Sequence, residues 1–356
     1  MLQSLDGAFY RRLAVTAAAL AAYRLGTQLP VPGLVTQSVA EAFKPVDLAV
    51  ARLSIFALGI TPLLSALILA EIVKIIAPTA RRWEGIHYAV IVAALLLASV
   101  QGASIAGALQ DVPNLVAEPG TSFRLVCTAT LVAGAALVIA LAAVIDRAGL
   151  GMGVWLIFLA PALAELPQNL AAIAQLYEVG QYSAAAIARS ALFTAIATAG
   201  VVSIMLAAPT SAETRTICVW TLFIAYALLA WLLMGIGLAI SGGSIDVAAA
   251  AATPGGAIRL VTLPAVIILI AWLYVRSYRH SGLPTPIPAA PIAAVLAAIA
   301  LAAEILQSQL QTALPLGSVQ LVVATVVATS ILIDWGFIGG SERPVGDASE
   351  PLSPRA

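Results

Sequence analysis

The sequence predicts an all-α, polytopic membrane protein with about ten transmembrane helices. Three observations carry this. Hydrophobic residues make up 62% of the chain and charged residues only 10%, where a soluble domain keeps roughly 25% charged residues for its surface. The mean hydropathy is +1.03. The apolar runs are Ala-rich and near 20 residues long, the length that carries a helix across a bilayer core of about 30 Å, without the period-two alternation of a lipid-facing barrel.

Taken in order, the runs fall at about 11–29, 52–77, 86–109, 122–145, 150–172, 184–208, 216–240, 258–276, 287–307 and 316–335. The N-terminal stretch MLQSLDGAFYRR lacks the small-residue cleavage site of a signal peptide. With the N-terminus inside, ten basic residues fall on the cytoplasmic side: Arg11, Arg12, Arg81, Arg82, Arg147, Arg215, Arg276, Arg279, Arg343 and Arg355. Six fall opposite, mostly at helix ends: Arg24, Lys44, Arg52, Arg124, Arg189 and Arg259. That bias places both termini in the cytoplasm. Ten spans permit a five-plus-five division with a break near 173–183, and an odd number per half gives the halves opposite topology. The connection 30–51 is too polar to span and too apolar for a surface loop. It reads either as an interfacial half-helix or as a re-entrant segment.

The second run, LSIFALGITPLLSALILAEIVK, is unlike a plain anchor. Pro62 removes a helical hydrogen bond and predicts a kink, and Gly59 permits close packing or a sharp turn. Leu64 and Ile68, four apart, share one helix face. Glu71 and Lys74 lie one turn apart and can pair. Glu304 and Glu165 are further carboxylates in apolar runs, where charge is costly and marks a partner or a cavity.

Catalytic and metal chemistry find no support. His87 and His280 sit at helix ends, Cys127 and Cys218 lie in apolar segments as inert thiols, and no nucleophile–base or zinc-protease spacing occurs. The formal net charge is zero, so nothing argues for nucleic acid. No cofactor is expected.

Ser54-Ile55-Phe56-Ala57-Leu58-Gly59-Ile60-Thr61-Pro62-Leu63-Leu64-Ser65-Ala66 resembles the second-helix signature of the SecY/Sec61α family, the channel subunit of the protein translocon. The chain departs from that signature at Leu67, where a small polar residue is usual, and at Glu71, where the family has Gln. Arg24-Leu25-Gly26-Thr27 with Leu29-Pro30-Val31-Pro32-Gly33 is similar to the family's entry to its plug segment. Gly151-Met152-Gly153 and Leu166-Pro167 match the surroundings of its fifth helix, and Leu316-Gly317-Ser318 is weakly similar to its tenth.

The resemblance implies two inverted five-helix halves around a central pore: 1–172, including a re-entrant plug-like segment 30–51, and 173–335, followed by a disordered cytoplasmic tail 336–356. It implies an apolar pore ring at Leu64, Ile68, Phe158, Ala162 and Val322, and a gate helix marked by Gly59, Pro62, Glu71 and Lys74. Arg81, Arg82, Arg215, Arg276 and Arg279 would meet cytoplasmic partners. The implied partners are unfolded polypeptide, the lipid bilayer and small SecE-like and SecG-like subunits, in the inner membrane of a bacterium. The loops 208–216 and 276–288 are short and hold only one or two arginines each, which argues against ordinary docking of SecA or a ribosome. A small-molecule transporter or lipid flippase on a similar bundle is the alternative, and it requires a polar mid-membrane pocket around Glu304 or Glu165. A scaffold without transport is the third reading.

Overall fold

Along the apolar helix at residues 86–110, small residues and large residues lie mostly on opposite sides. In a membrane, helices gain from backbone approach and van der Waals packing, so small residues turn inward and bulky apolar ones can face lipid. Helix α3 (Ile86–Gln110) buries Val90, Ala94, Ala98, Gly102 and Ala106, every fourth residue. Its Val92, Leu96 and Val100 are exposed. The computed structural model describes residues 7–35, 53–112, 114–207, 212–240, 256–281, 288–310 and 312–335.

Ten α-helices lie among the described residues. Besides α3 they are α1 (Gly7–Gly26), α2 (Thr61–Ile76), α4 (Thr121–Ala148), α5 (Gly153–Glu178), α6 (Ala184–Ala207), α7 (Ala212–Ile240), α8 (Ala257–His280), α9 (Ala289–Ser308) and α10 (Ser318–Asp334). A 3₁₀ turn, Pro78–Arg82, follows α2. The seven helices α3 to α9 are long and apolar enough to cross a membrane; α10 is apolar but shorter, at 17 residues. The chain is thus an all-α polytopic membrane protein.

The chain forms two compact units: residues 1–70 with 83–160, and 71–82 with 161–355. In the first, α4 packs against both α1 and α3. Phe123, Cys127, Leu131 and Ala135 of α4 meet Ala98 and Ala106 of α3 in one apolar cluster that also holds Val31, Leu53 and Leu58. Gly151 takes a positive φ of 83°, and a Cβ on Gly153 would sit 2.0 Å from the Ala142 carbonyl oxygen. The Asp146 carboxylate accepts the Gly153 N–H at 2.6 Å. The Gly-Met-Gly stretch is therefore a tight reversal that begins α5 against the end of α4.

The first residues of the plug-like stretch are described. Val31 N–H donates to Leu53 O (3.0 Å) and Ile55 N–H to Leu29 O (2.9 Å). Val35 N–H donates to Leu115 O (2.9 Å) and Ala117 N–H to Gly33 O (3.1 Å). Two isolated antiparallel bridges, Pro30 with Ser54 and Leu34 with Val116, result. The remainder of 30–51, from 36 onward, lies outside the described residues, as does the tail 336–356.

In the second unit α8 packs on α7 and α9, α6 on α9 and α10, and α10 on α7. Helix α10 is buried along most of its length, including Val322, Val323, Val326 and Val327.

Candidate functional site

The expected span 52–77 is corrected at its start. Residues 53–60 form consecutive turns, and α2 begins only at Thr61. Gly59 adopts φ 51°, in the left-handed region that ends such turns. Pro62 is the second residue of the helix. An N–H there has no intrahelical acceptor in any case, so Pro62 starts α2 and does not kink it.

The turns are fixed by close approach. Phe56 stacks on Tyr23 of α1 with ring centroids 5.9 Å apart, and a Cβ on Gly26 would strike the Phe56 ring. A Cβ on Gly134 of α4 would lie 1.9 Å from the Ile55 carbonyl oxygen. Gly26 and Gly134 thus hold the Ile55-Phe56 turn against α1 and α4.

From this start, Leu64 (7% exposed), Ile68 (8%) and, a further turn on, Glu71 (5%) line one side of α2, while Leu63 and Ala66 are buried on others. Leu69, Val73 and Ile76 are exposed on other sides. The other expected ring positions lie on α5 and α10. Phe158 is half-buried, edge-on to Trp155 at 6.3 Å; Ala162 is half-buried; Val322 is fully buried.

Glu71 and Lys74 form the pair the spacing predicts, with Nζ to Oε1 at 2.8 Å. The second carboxylate oxygen accepts the Tyr274 hydroxyl at 2.7 Å. Ser277 Oγ donates to the Lys74 carbonyl (2.7 Å) and accepts from Arg81 Nε (3.1 Å). Arg82 Nη2 donates to the Ser281 carbonyl at 2.6 Å, and Ser281 Oγ lies 3.2 Å from the Pro78 carbonyl oxygen. The Arg81 guanidinium sits over the Tyr278 ring, 4.1 Å from its centroid. Residues 71–82 are therefore clasped to the last two turns of α8. Tyr274, Ser277, Tyr278 and Ser281 are all buried, and their i, i+3, i+4, i+7 spacing places them on one stripe. Sequence reading passed over this stripe, although Tyr-x-x-Ser-Tyr-x-x-Ser in the final turns of an apolar helix was its visible signal.

The remaining expected partner contacts divide. Arg215 forms a bidentate pair with Asp334 at 2.8 and 3.0 Å. Arg276 lies over the Trp272 ring at 5.2 Å. Arg279 stands in the last turn of α8. His87 and His280 are exposed; His87 packs edge-on to Tyr88, and His280 Nδ1 lies 3.1 Å from the Arg276 carbonyl oxygen.

Glu304 is buried and paired with Arg259, Nη2 to Oε1 2.7 Å, and Arg259 also lies 5.6 Å from the centre of the Tyr226 ring. Tyr226 in turn bonds Ser318 at 3.0 Å. Glu165 is exposed. A cavity of about 670 Å³ in the second unit is lined by Leu170, Ile173, Ser190, Thr194, Thr198 and their small apolar neighbours, with no carboxylate among its lining residues. No cluster of potential metal ligands occurs among the described residues.

The SecY family model matches residues 54–277, from the turn before α2 to the Ser277 stripe. The chain belongs to the SecY family. Its curated relatives include the protein translocase subunit SecY of Escherichia coli strain K12, 30% identical over 188 residues, covering 46% of this chain and 42% of that one. The Thermus thermophilus subunit is 31% identical over 222 residues, 54% of this chain and 50% of its own. The chain thus spans about half the length of the curated relatives it matches. Two solved structures share its fold at a TM-score of 0.59, covering 93% of this chain and 94% of theirs: a protein-conducting channel, 13% identical, and Sec61 from a canine ribosome-channel complex of the endoplasmic reticulum, 14% identical.

Proposed function

We propose that the chain is a SecY-type protein-conducting channel subunit of a bacterial inner membrane, moving unfolded polypeptide across the bilayer and releasing apolar segments sideways into lipid. The observation that supports it best is the way the signature folds. Residues 54–60 form turns locked by Gly26 and Gly134, and α2 then begins at Thr61 with Leu64 and Ile68 both buried and four residues apart. In this reading Leu64 and Ile68 join Phe158, Ala162 and Val322 in an apolar ring. Such a constriction resists ions by dewetting, yet offers a passing peptide no strong binding site.

The proposed division is the one the resemblance implies, with halves 1–172 and 173–335 and both termini cytoplasmic. The polypeptide substrate and SecE-like and SecG-like subunits are its partners. The driving energy comes from a partner, because the sequence contains no phosphate-binding loop. Arg81, Arg82 and Arg215 are engaged within the chain, leaving Arg276 and Arg279 as the better candidates for a cytoplasmic contact. The loop residues 208–211 and 282–287 lie outside the described residues. A transporter or flippase is less favoured: Glu304 is neutralised by Arg259, Glu165 is exposed, and neither lines the cavity.

The test is ion leak in reconstituted vesicles. Leu64→Asn with Ile68→Asn places two polar side chains in the apolar constriction, hydrates it and raises resting leak about tenfold or more. Leak equal to that of the unsubstituted chain counts against the ring.

A further inference from the structure

We propose that the Glu71–Tyr274 contact is a latch that holds the cytoplasmic end of α2 on α8 and sets how readily the two helices part. The inference rests on the channel reading for its purpose, and on the clasp for its substance.

The clasp is uneven. Most of its links run between backbone carbonyls and Ser277, Ser281 or Arg82, near the surface end of the helices. The Glu71–Tyr274 bond is the deepest along α2, and both side chains are buried, Tyr274 completely. A carboxylate withdrawn from water must be paired and hydrogen-bonded, or it becomes a liability. Lys74 satisfies one oxygen from within the same helix, and that pair travels with α2 wherever it goes. Tyr274 satisfies the other from α8. Separation of the helices therefore breaks, besides the Arg81 and Arg82 bonds nearer the surface, the bond that α8 gives to the buried carboxylate. A hydrogen bond to a charged acceptor is stronger than one to a neutral acceptor. The family's usual glutamine at this position would accept the same hydroxyl without charge. Glutamate makes the contact tighter while the helices are together. It also makes parting easier to complete, because a released carboxylate is readily hydrated. This gives the position a threshold character that a neutral side chain lacks.

The experiment uses the full chain in proteoliposomes, with Cys127→Ala and Cys218→Ala to remove native thiols. Pro78→Cys with Ser281→Cys is the reporter pair, since Ser281 Oγ lies 3.2 Å from the Pro78 carbonyl. Oxidative crosslinking of that pair reads helix docking without any requirement for transport. Tyr274→Phe keeps the ring and removes the hydroxyl; Glu71→Gln keeps the shape and removes the charge. Each slows crosslinking and raises resting ion leak by about fivefold or more. The double substitution does no more than Tyr274→Phe alone, because the charge at position 71 acts on α8 through the hydroxyl that Tyr274→Phe removes. Crosslinking and leak within twofold of the parent for both variants overturn the latch. So do independent, multiplying effects, and so does failure of the reporter pair to crosslink in the parent. If crosslinking responds as expected but the parent carries no polypeptide, the latch stands and the channel reading falls.

Discussion

Glycine at 134 is needed for space. Its ideal Cβ would lie 1.9 Å from the Ile55 carbonyl oxygen, a backbone atom that cannot swing aside. Gly134→Ala must displace the turn that launches α2, so it destabilises the first unit by about 2 kcal/mol or more and lowers the thermal midpoint in detergent. Gly107→Ala is the control, with only the tip of Arg124 near its Cβ position at 3.8 Å; it leaves the midpoint unchanged. The ion pair of Arg259 with Glu304 makes a second test. Glu304→Gln leaves a guanidinium without its counter-charge in a largely buried place, costing about 3 kcal/mol. Arg259→Met with Glu304→Leu recovers most of that loss. Equal midpoints for the single and double variants would show that the charge pairing is immaterial.

Hydropathy locates helices well and their beginnings poorly. Spans expected at 86–109, 184–208 and 287–307 emerge as Ile86–Gln110, Ala184–Ala207 and Ala289–Ser308, because lipid exposure imposes one requirement on all three. The second span was read as 52–77 and begins instead at Thr61. The apolar residues before it pack within the first unit, against α1, α3 and α4, and hydropathy cannot separate that from membrane burial. Gly59 and Pro62 were legible as breakers; their placement at the boundary needed the backbone. The Leu64–Ile68 face and the Glu71–Lys74 pair follow from spacing alone. The partner of Glu71, Tyr274, lies 203 residues away, and no local pattern connects the two. Because Pro62 sits in the first turn of α2, Pro62→Ala alters stability by less than about 1 kcal/mol. A loss of several kcal/mol in unfolding would restore the kinked-span picture.

The whole molecule combines a recognisable family fold with a sequence match that spans about half the length of its curated relatives. Membership of the SecY family was legible in Ser54–Ala66, a stretch whose Gly59 takes the positive φ of the turn and whose Pro62 starts α2. The proposed pore stands or falls on which residue meets a passing chain, and that is directly measurable. An arrested secretory polypeptide is offered to vesicles carrying Ile68→Cys, with Leu69→Cys, exposed on another side of α2, as the comparison. A channel with the proposed ring crosslinks the polypeptide at position 68 and only weakly at 69. Equal crosslinking at both positions, or none at 68 while the chain is engaged, contradicts it.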